Sequence, residues 1–286
     1  FMAPCLGTVA RIVKSNKYTV IISVVDNVFP HEKHHGDNLL TKFFMNSIDG
    51  AAVLSDVVQK DVAVFRNDIP VCVTPHPLFD TYGKKLKQGE ALSALKLDPD
   101  FSYLLFFGII RNYKGLDILI KAFSDDRLRG RKLRLIVAGE FYENEAHYRN
   151  LVKESGLEKD IIFYDHFISD ADVRLFFSAA DLVVQPYKSA TQSGVTQIAF
   201  HFDKPMLVTD VGGLKEIVPH EKCGYVVQPE PKTIADAIID YFDNDRKNAF
   251  SECVRKEKEK FSWNKMTDAV TEVFYKCLLK QLIKAL

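Results

Sequence analysis

The feature that most constrains this sequence is a regular alternation beginning near residue 101. Short β-branched or aromatic runs end in glycine or proline, and segments with helical apolar spacing follow them. Phe101 to Phe107 closes on Gly108, Leu133 to Ala138 on Gly139, and Leu182 to Gln185 on Pro186. Between them, Leu116, Leu119, Ile120 and Phe123 share one helical face. Glu143 to Ser155 is a helix closed by Gly156, and Ser169 caps a helix running to about Ala180. A short strand at Ile161 to Phe163, a helix near Gly194 to Phe202 and a strand at Met206 to Thr209 extend the series. Strands alternating with helices predict an α/β fold with a parallel sheet covered on both faces.

Residues 1–75 read as helix, strand, helix, strand, helix, strand. The run from Tyr18 to Val25 has the character of a strand buried on both faces. Ile48 to Leu54 and Val71 to Thr74 are shorter versions, with a helix between them capped near Ser55 and Asp56. These strands are too few for a complete α/β domain. Pro75 and Pro77 bracket His76 and force an extended path, which fits a domain boundary. After residue 230 the chain is helical. Trp263 to Leu286 places Met266, Val270, Val273, Phe274, Cys277, Leu278 and Leu282 on one stripe. The expected organisation is residues 1–75, residues 76–262, and a helix over 263–286 crossing back toward the amino-terminal domain.

Composition removes several function classes. Lysine plus arginine and aspartate plus glutamate both number 38, so no global field recruits nucleic acid. Five cysteines are scattered with no Cys-x-x-Cys pair, and are expected to be buried or free thiols in a reducing compartment. No apolar run approaches a membrane span. Phe1 is not an initiator methionine, so the sequence is expected to begin inside a longer protein.

Three strand ends carry the chemistry. Gly108-Ile-Ile-Arg-Asn-Tyr-Lys-Gly115 sets Arg111 and Lys114 between a strand and a helix start. In parallel α/β sheets ligands sit at this edge, where helix N–H groups add positive potential. Two cations there suit a diphosphate and need no metal. Pro186 to Val195 brings Gln192, Ser193, Gly194 and Val195, then Thr196, to the same edge. Their backbone N–H groups suit a phosphate, although Ser193 is equally an ordinary helix cap. Thr209-Asp-Val-Gly-Gly-Leu-Lys-Glu216 supplies Gly212, Gly213 and Glu216. No Gly-x-Gly-x-x-Gly or Walker-type motif is present, which weighs against dehydrogenase and P-loop readings. His31, His34 and His35 cluster in one polar segment and fit a substrate loop better than a metal site.

Taken in order, these motifs resemble the donor half of the family-four retaining glycosyltransferases (glycosyl transferases group 1), over about residues 70–285. The matching elements are Gly108, Arg111, Lys114 and Gly115; Val137-Ala-Gly-Glu140; Ala180-Asp-Leu182; Asp203-Lys-Pro-Met206; and Thr209 to Val218 followed by Cys223-Gly-Tyr-Val-Val227. The resemblance implies a GT-B fold: a Rossmann-like donor domain plus a partial Rossmann-like acceptor domain. It implies Arg111 and Lys114 as catalytic residues stabilising the departing nucleoside diphosphate. Donor-binding positions are then Gly108, Gly139, Glu140, Gln192, Ser193, Gly194, Val195, Thr196, Gly212, Gly213 and Glu216, with Asp26 and His31 on the acceptor side. No metal and no cofactor beyond the nucleotide-sugar co-substrate is implied.

Two departures accompany the resemblance. The family's Glu-x7-Glu positions fall on Ala190 and Ile198. About the first quarter of a full-length member, with its glycine-rich loop, is expected to be missing. The implied function is retaining transfer of a sugar from a nucleotide-sugar to a glycan or lipid-linked acceptor in bacterial surface polysaccharide synthesis. The expected location is cytoplasmic, with peripheral contact at the inner face of the membrane, and no nucleic-acid partner. A nucleotide-sugar epimerase and a non-catalytic nucleotide-sugar-binding protein are the alternatives.

Overall fold

A computed structural model describes residues 3–16, 18–29, 35–190 and 193–285. The chain forms two units, Phe1–Pro77 with Lys260–Leu286, and Leu78–Glu259. No helix among the described residues is long and apolar enough to cross a membrane.

The first unit holds three parallel strands, β1 (Ile22–Val25), β2 (Gly50–Val53) and β3 (Val71–Val73), in that spatial order. Helices Ala3–Val13, Asp37–Met45, Asp56–Phe65 and Trp263–Ala285 belong to it. Ser55 caps the third of these, its hydroxyl accepting from the Val58 N–H at 3.3 Å. Every residue of the central strand β2 is buried. The carboxyl-terminal helix lies on it at Gly50, where a Cβ would come within 2.4 Å of Val273 Cγ1 and 2.8 Å of Cys277 Sγ. Glycine there lets the helix reach the strand.

Two expectations are corrected in this unit. The run from Tyr18 is a strand only from Ile22, and Val24 is 53% exposed. Among the described residues this strand pairs with β2. On the last helix, the buried stripe is Met266, Ala269, Val273 and Cys277. Phe274 and Leu282, assigned to that stripe by spacing, are 39% and 63% exposed. A small sheet covers only a narrow arc of the helix.

The second unit holds six strands in the order β6-β5-β4-β7-β8-β9, all paired in parallel. They are β4 (Ser102–Phe107), β5 (Leu133–Ala138), β6 (Ile161–Tyr164), β7 (Leu182–Gln185), β8 (Met206–Thr209) and β9 (Gly224–Val227). β7 and β8 are buried throughout, which explains their apolar sequences up to the polar residues Gln185 and Thr209 that end them. The expected parallel α/β architecture holds. The chain steps from β4 outward to β6, then returns to the other side of β4 with β7. This reversal opens a crevice between the carboxyl ends of β4 and β7, where open α/β sheets place ligands.

The opposite edge of this sheet is fastened by Asp181. Its carboxylate accepts from the Tyr103 N–H at 2.7 Å, Gln88 Nε2 at 3.0 Å and Lys247 Nζ at 2.5 Å. The Ala-Asp-Leu strand entry is thus a structural tie between β4, β7 and two helices, Gln88–Ala94 and Lys247–Glu257. Spacing had not resolved the first of these helices, while the second falls within the stretch after residue 230 that was expected to be helical. Ser169 is not a side-chain cap, because its hydroxyl donates to Asp172 instead.

The cysteine expectation is also corrected. Cys223 and Cys253 form a disulfide between the start of β9 and the helix at Lys247–Glu257, while Cys5, Cys72 and Cys277 are free. The inference of a reducing compartment, which rested on unpaired thiols, loses its support.

Candidate functional site

The site is built from three loops at the carboxyl edge of the second sheet. After β4 the chain turns at Gly108, whose φ is +97°. The next loop, after β5, turns at Gly139, where a Cβ would lie 2.4 Å from the Gly108 carbonyl oxygen. The two loops therefore pack backbone on backbone. They are joined further by Ile110 N–H donating to the Glu140 carbonyl at 2.8 Å and Tyr142 N–H donating to the Ile110 carbonyl at 3.1 Å. Gly108, Gly139 and Glu140 line one slot of about 160 Å³, together with Tyr82, Phe167 and Asp170.

Arg111 leads into a single 3₁₀ turn, Asn112–Lys114. Its guanidinium lies 4.2 Å from the centre of the Tyr142 ring, a cation–π contact that holds the plane of the fork. Lys114 is only 9% exposed, an unusual position for an ammonium. Its Nζ stands 3.1 Å from the Cβ position of Gly108, and Val195 Cγ2 lies 3.7 Å from the same point. The Tyr187 ring centre is 5.9 Å away. Burial, and then the like charge of Arg111, lower the Lys114 pKa to about 8. No carboxylate among the described residues pairs with it. An arriving anion would relieve both penalties at once.

The loop after β7 faces this cation. The Lys188 N–H donates to the Tyr113 carbonyl at 2.7 Å, and Lys188 Nζ reaches Asn112 Oδ1 at 2.6 Å and Asp117 Oδ1 at 2.9 Å. These bonds lock the loop to the turn that carries Lys114. Ser193, Gly194, Val195 and Thr196 then open the helix Gly194–His201. Gly194 sits against Phe79, 3.0 Å from its Cβ position to the ring edge. Gln192 lies outside the described residues, so its proposed contact is not placed.

The third loop follows β8. Gly212 takes φ +52°, Gly213 is buried, and the four-residue helix Leu214–Ile217 begins. Glu216 is exposed on that helix. The sheet order therefore sets the Arg111–Lys114 turn, the Ser193–Thr196 helix start and the Gly212–Gly213 turn at three successive strand ends. Asp26 belongs to the first unit, exposed just after β1, and borders a pocket there of about 500 Å³. His31 lies outside the described residues. No group of three or more metal-ligating side chains occurs among the described residues.

Residues 102–244 match the family model described as glycosyl transferases group 1. The chain belongs to this family. The glycosyl transferases group 1 match begins at β4, so it covers all three loops of the site.

Among similar proteins is a D-inositol 3-phosphate glycosyltransferase from Pseudarthrobacter chlorophenolicus. It is 33% identical over 136 residues, covering 46% of this chain and 32% of that protein. Human alpha-1,3/1,6-mannosyltransferase ALG2 is 27% identical over 187 residues, covering 59% of this chain and 43% of that protein. The matched regions span a third to a half of these relatives, 32% to 49% of their length. In fold, the chain resembles sucrose-phosphate synthase from Thermosynechococcus elongatus, with a TM-score of 0.76 at 18% identity over 98% of this chain and 72% of that one. It also resembles Anabaena Alr3699/HepE in complex with UDP, with a TM-score of 0.75 at 17% identity over 99% of this chain and 77% of that one. These likenesses show the GT-B fold.

The structure also places Ile198 and brings forward Gln185, Tyr187 and Tyr142, which the motifs did not single out. Ile198, at the position of a family glutamate, is a buried core side chain on the 194–201 helix. Gln185 and Tyr187 are buried directly behind Ser193. Gln185 had a visible signal, a polar residue ending an otherwise apolar strand. Tyr142 had none, because its role depends on the pairing of two loops distant in sequence.

Proposed function

We propose that the second unit binds the diphosphate of a nucleotide-sugar and that the protein is a retaining glycosyltransferase. The observation that carries this reading is the buried Lys114 ammonium, unpaired by any described carboxylate, beside Arg111 at the crevice between β4 and β7. Departure of a nucleoside diphosphate concentrates negative charge on the leaving phosphate. Arg111, Lys114 and the N–H groups at the start of the 194–201 helix are preorganised donors for that charge. Losing one such donor typically costs about 3 kcal/mol of transition-state stabilisation. Two cations can do this without a metal, so the proposed reaction is metal-independent. Solved neighbours described in complex with UDP and with UDP-glucose support a nucleotide-sugar donor.

The proposed acceptor is a glycan or lipid-linked precursor in surface polysaccharide assembly. A cytoplasmic, membrane-peripheral location suits such an acceptor. The Cys223–Cys253 bond weighs against that location, and thiol trapping in cells decides: reduced Cys223 and Cys253 support it and a persisting bond overturns it.

The decisive experiment titrates the chain calorimetrically with UDP, GDP and ADP, with and without magnesium. Saturable, metal-independent binding that is lost in Arg111→Ala and Lys114→Ala supports the reading. Wild-type-like binding in both folded variants overturns it. A second reading, binding without turnover, is favoured by Ala190 and Ile198 at the family's glutamate positions. It predicts nucleotide binding with no sugar released to water or acceptor.

A further inference from the structure

Ser193 occupies the N-cap position of the helix Gly194–His201, with extended φ and ψ of −144° and 120°. A serine there ordinarily turns its hydroxyl onto the N–H groups of the first helical turn. Ser193 makes no such bond. Gln185 Nε2 donates to its Oγ at 2.6 Å, and the Tyr187 hydroxyl lies 3.3 Å from the same oxygen. Gln185 also donates to the Tyr187 hydroxyl at 3.0 Å, and the Thr209 hydroxyl holds the Tyr187 carbonyl at 2.6 Å. Gln185, Tyr187 and Ser193 are 1%, 4% and 9% exposed.

This cluster is expensive for a packed strand end. It buries an amide whose Oε1 has no hydrogen-bond partner. An apolar side chain at position 185 would avoid that penalty. What the amide achieves is to draw the Ser193 hydroxyl away from the helix end. A second, independent feature points to what takes its place. The Lys114 ammonium, nine-tenths buried and without a described acceptor, stands beside Val195 in the first turn of the same helix.

We propose that Gln185 and Tyr187 are positioning residues: they hold the Ser193 hydroxyl off the helix start so that the Gly194 and Val195 N–H groups remain open to a diphosphate, the Thr196 N–H being taken by the Ser193 carbonyl at 3.1 Å. This rests on the donor-site reading above and assigns that site its second half. Lys114 meets the anion from the β4 side, and the uncapped helix meets it from the β7 side. The arrangement trades local helix stability for an empty cradle, since a capping serine would compete with the ligand for the same donors.

The test uses the whole chain and three variants: Tyr187→Phe, Gln185→Met with Tyr187→Phe, and that pair with Ser193→Ala. Two readouts are taken, amide hydrogen exchange at Val195 without ligand, and calorimetric binding of inorganic pyrophosphate and UDP. In the double variant the released hydroxyl caps the helix. Val195 exchange then slows and pyrophosphate binding weakens, each by about fivefold, the equilibrium factor of a typical capping bond. Adding Ser193→Ala removes the competitor and restores both to wild-type values. Rescue by deleting a further hydroxyl is not what a merely structural cluster would show. Tyr187→Phe alone gives a smaller shift in the same directions and serves where the double variant does not fold.

Unchanged Val195 exchange in the variants, or weakened binding that Ser193→Ala fails to restore, overturns the positioning role. If exchange follows the expected series but wild type takes up neither pyrophosphate nor UDP, the donor-site reading fails, and the diphosphate assignment fails with it.

Discussion

The carbonyl oxygen of Pro186 lies 1.9 Å from the point that a Cβ on Gly115 would occupy. Gly115 also takes φ +71°, a conformation that costs other residues. This one close approach seats the turn bearing Lys114 against the end of β7. Gly115→Ala is therefore expected to lose at least about 2 kcal/mol of stability, from αL strain plus a backbone overlap. Chemical denaturation measures the loss. UDP titration of the folded fraction is expected to show weaker binding as well, because the turn must move.

Lys114 sets a pH limit on anion binding. Its pKa is lowered to about 8 in the free protein, by burial and then by Arg111. A bound diphosphate favours the charged form, so the complex holds a proton that the free protein gives up above that pH. UDP affinity is expected to be flat below about pH 8 and to fall toward tenfold per pH unit above it. Lys114→Arg, which stays charged, removes the fall wherever it still binds. A wild-type profile that stays level up to pH 10 would sink the assignment of Lys114 to the anion.

Lys204 makes a separate prediction about stability. It is 6% exposed, donates to the Ser178 carbonyl at 3.1 Å and the Ala180 carbonyl at 2.7 Å, and has its pKa lowered to about 7, chiefly by burial. Between about pH 7 and the ordinary lysine value of 10.5, the unfolded chain is protonated there and the folded chain is not. Folding stability from this group therefore rises with pH across that window. Lys204→Met is expected to flatten the rise, as read from urea midpoints at a series of pH values.

The Cys223–Cys253 bond closes a loop with a sequence separation of 30. Thiol titration of the denatured, unreduced protein is expected to find the three free cysteines Cys5, Cys72 and Cys277. Replacing both bonded residues with alanine is expected to cost about 3–4 kcal/mol on the loop-entropy account. A thermal midpoint equal to wild type would show that the bond carries no stability.

Much of the second unit was legible because parallel strands buried on both faces must be largely apolar. β4, β5, β7 and β8 announced themselves in this way, and the glycines after β4 and β5 marked the ligand edge. The first unit read less well. The Tyr18–Val25 run had the same β-branched character, yet it is a strand only from Ile22 and exposes Val24, because sequence records the preference of a segment and not what covers it. The helix Gln88–Ala94 was missed for a related reason: Gln88 is a polar residue that earns its place by meeting Asp181, far away in sequence.

Sequence by itself determined the class of fold, the three chemical loops and the family, because each depends on local pattern and fixed spacing. Tertiary structure alone decided the rest. It placed β4 beside β7, buried Lys114 without a described counter-charge, paired Cys223 with Cys253, and gave the Ser193 hydroxyl to Gln185 in place of its own helix. Each of those outcomes depends on contacts between strand ends or helices that the chain brings together only after folding. The energy of a buried charge or an open cap is set by such neighbours and not by the residue that bears it.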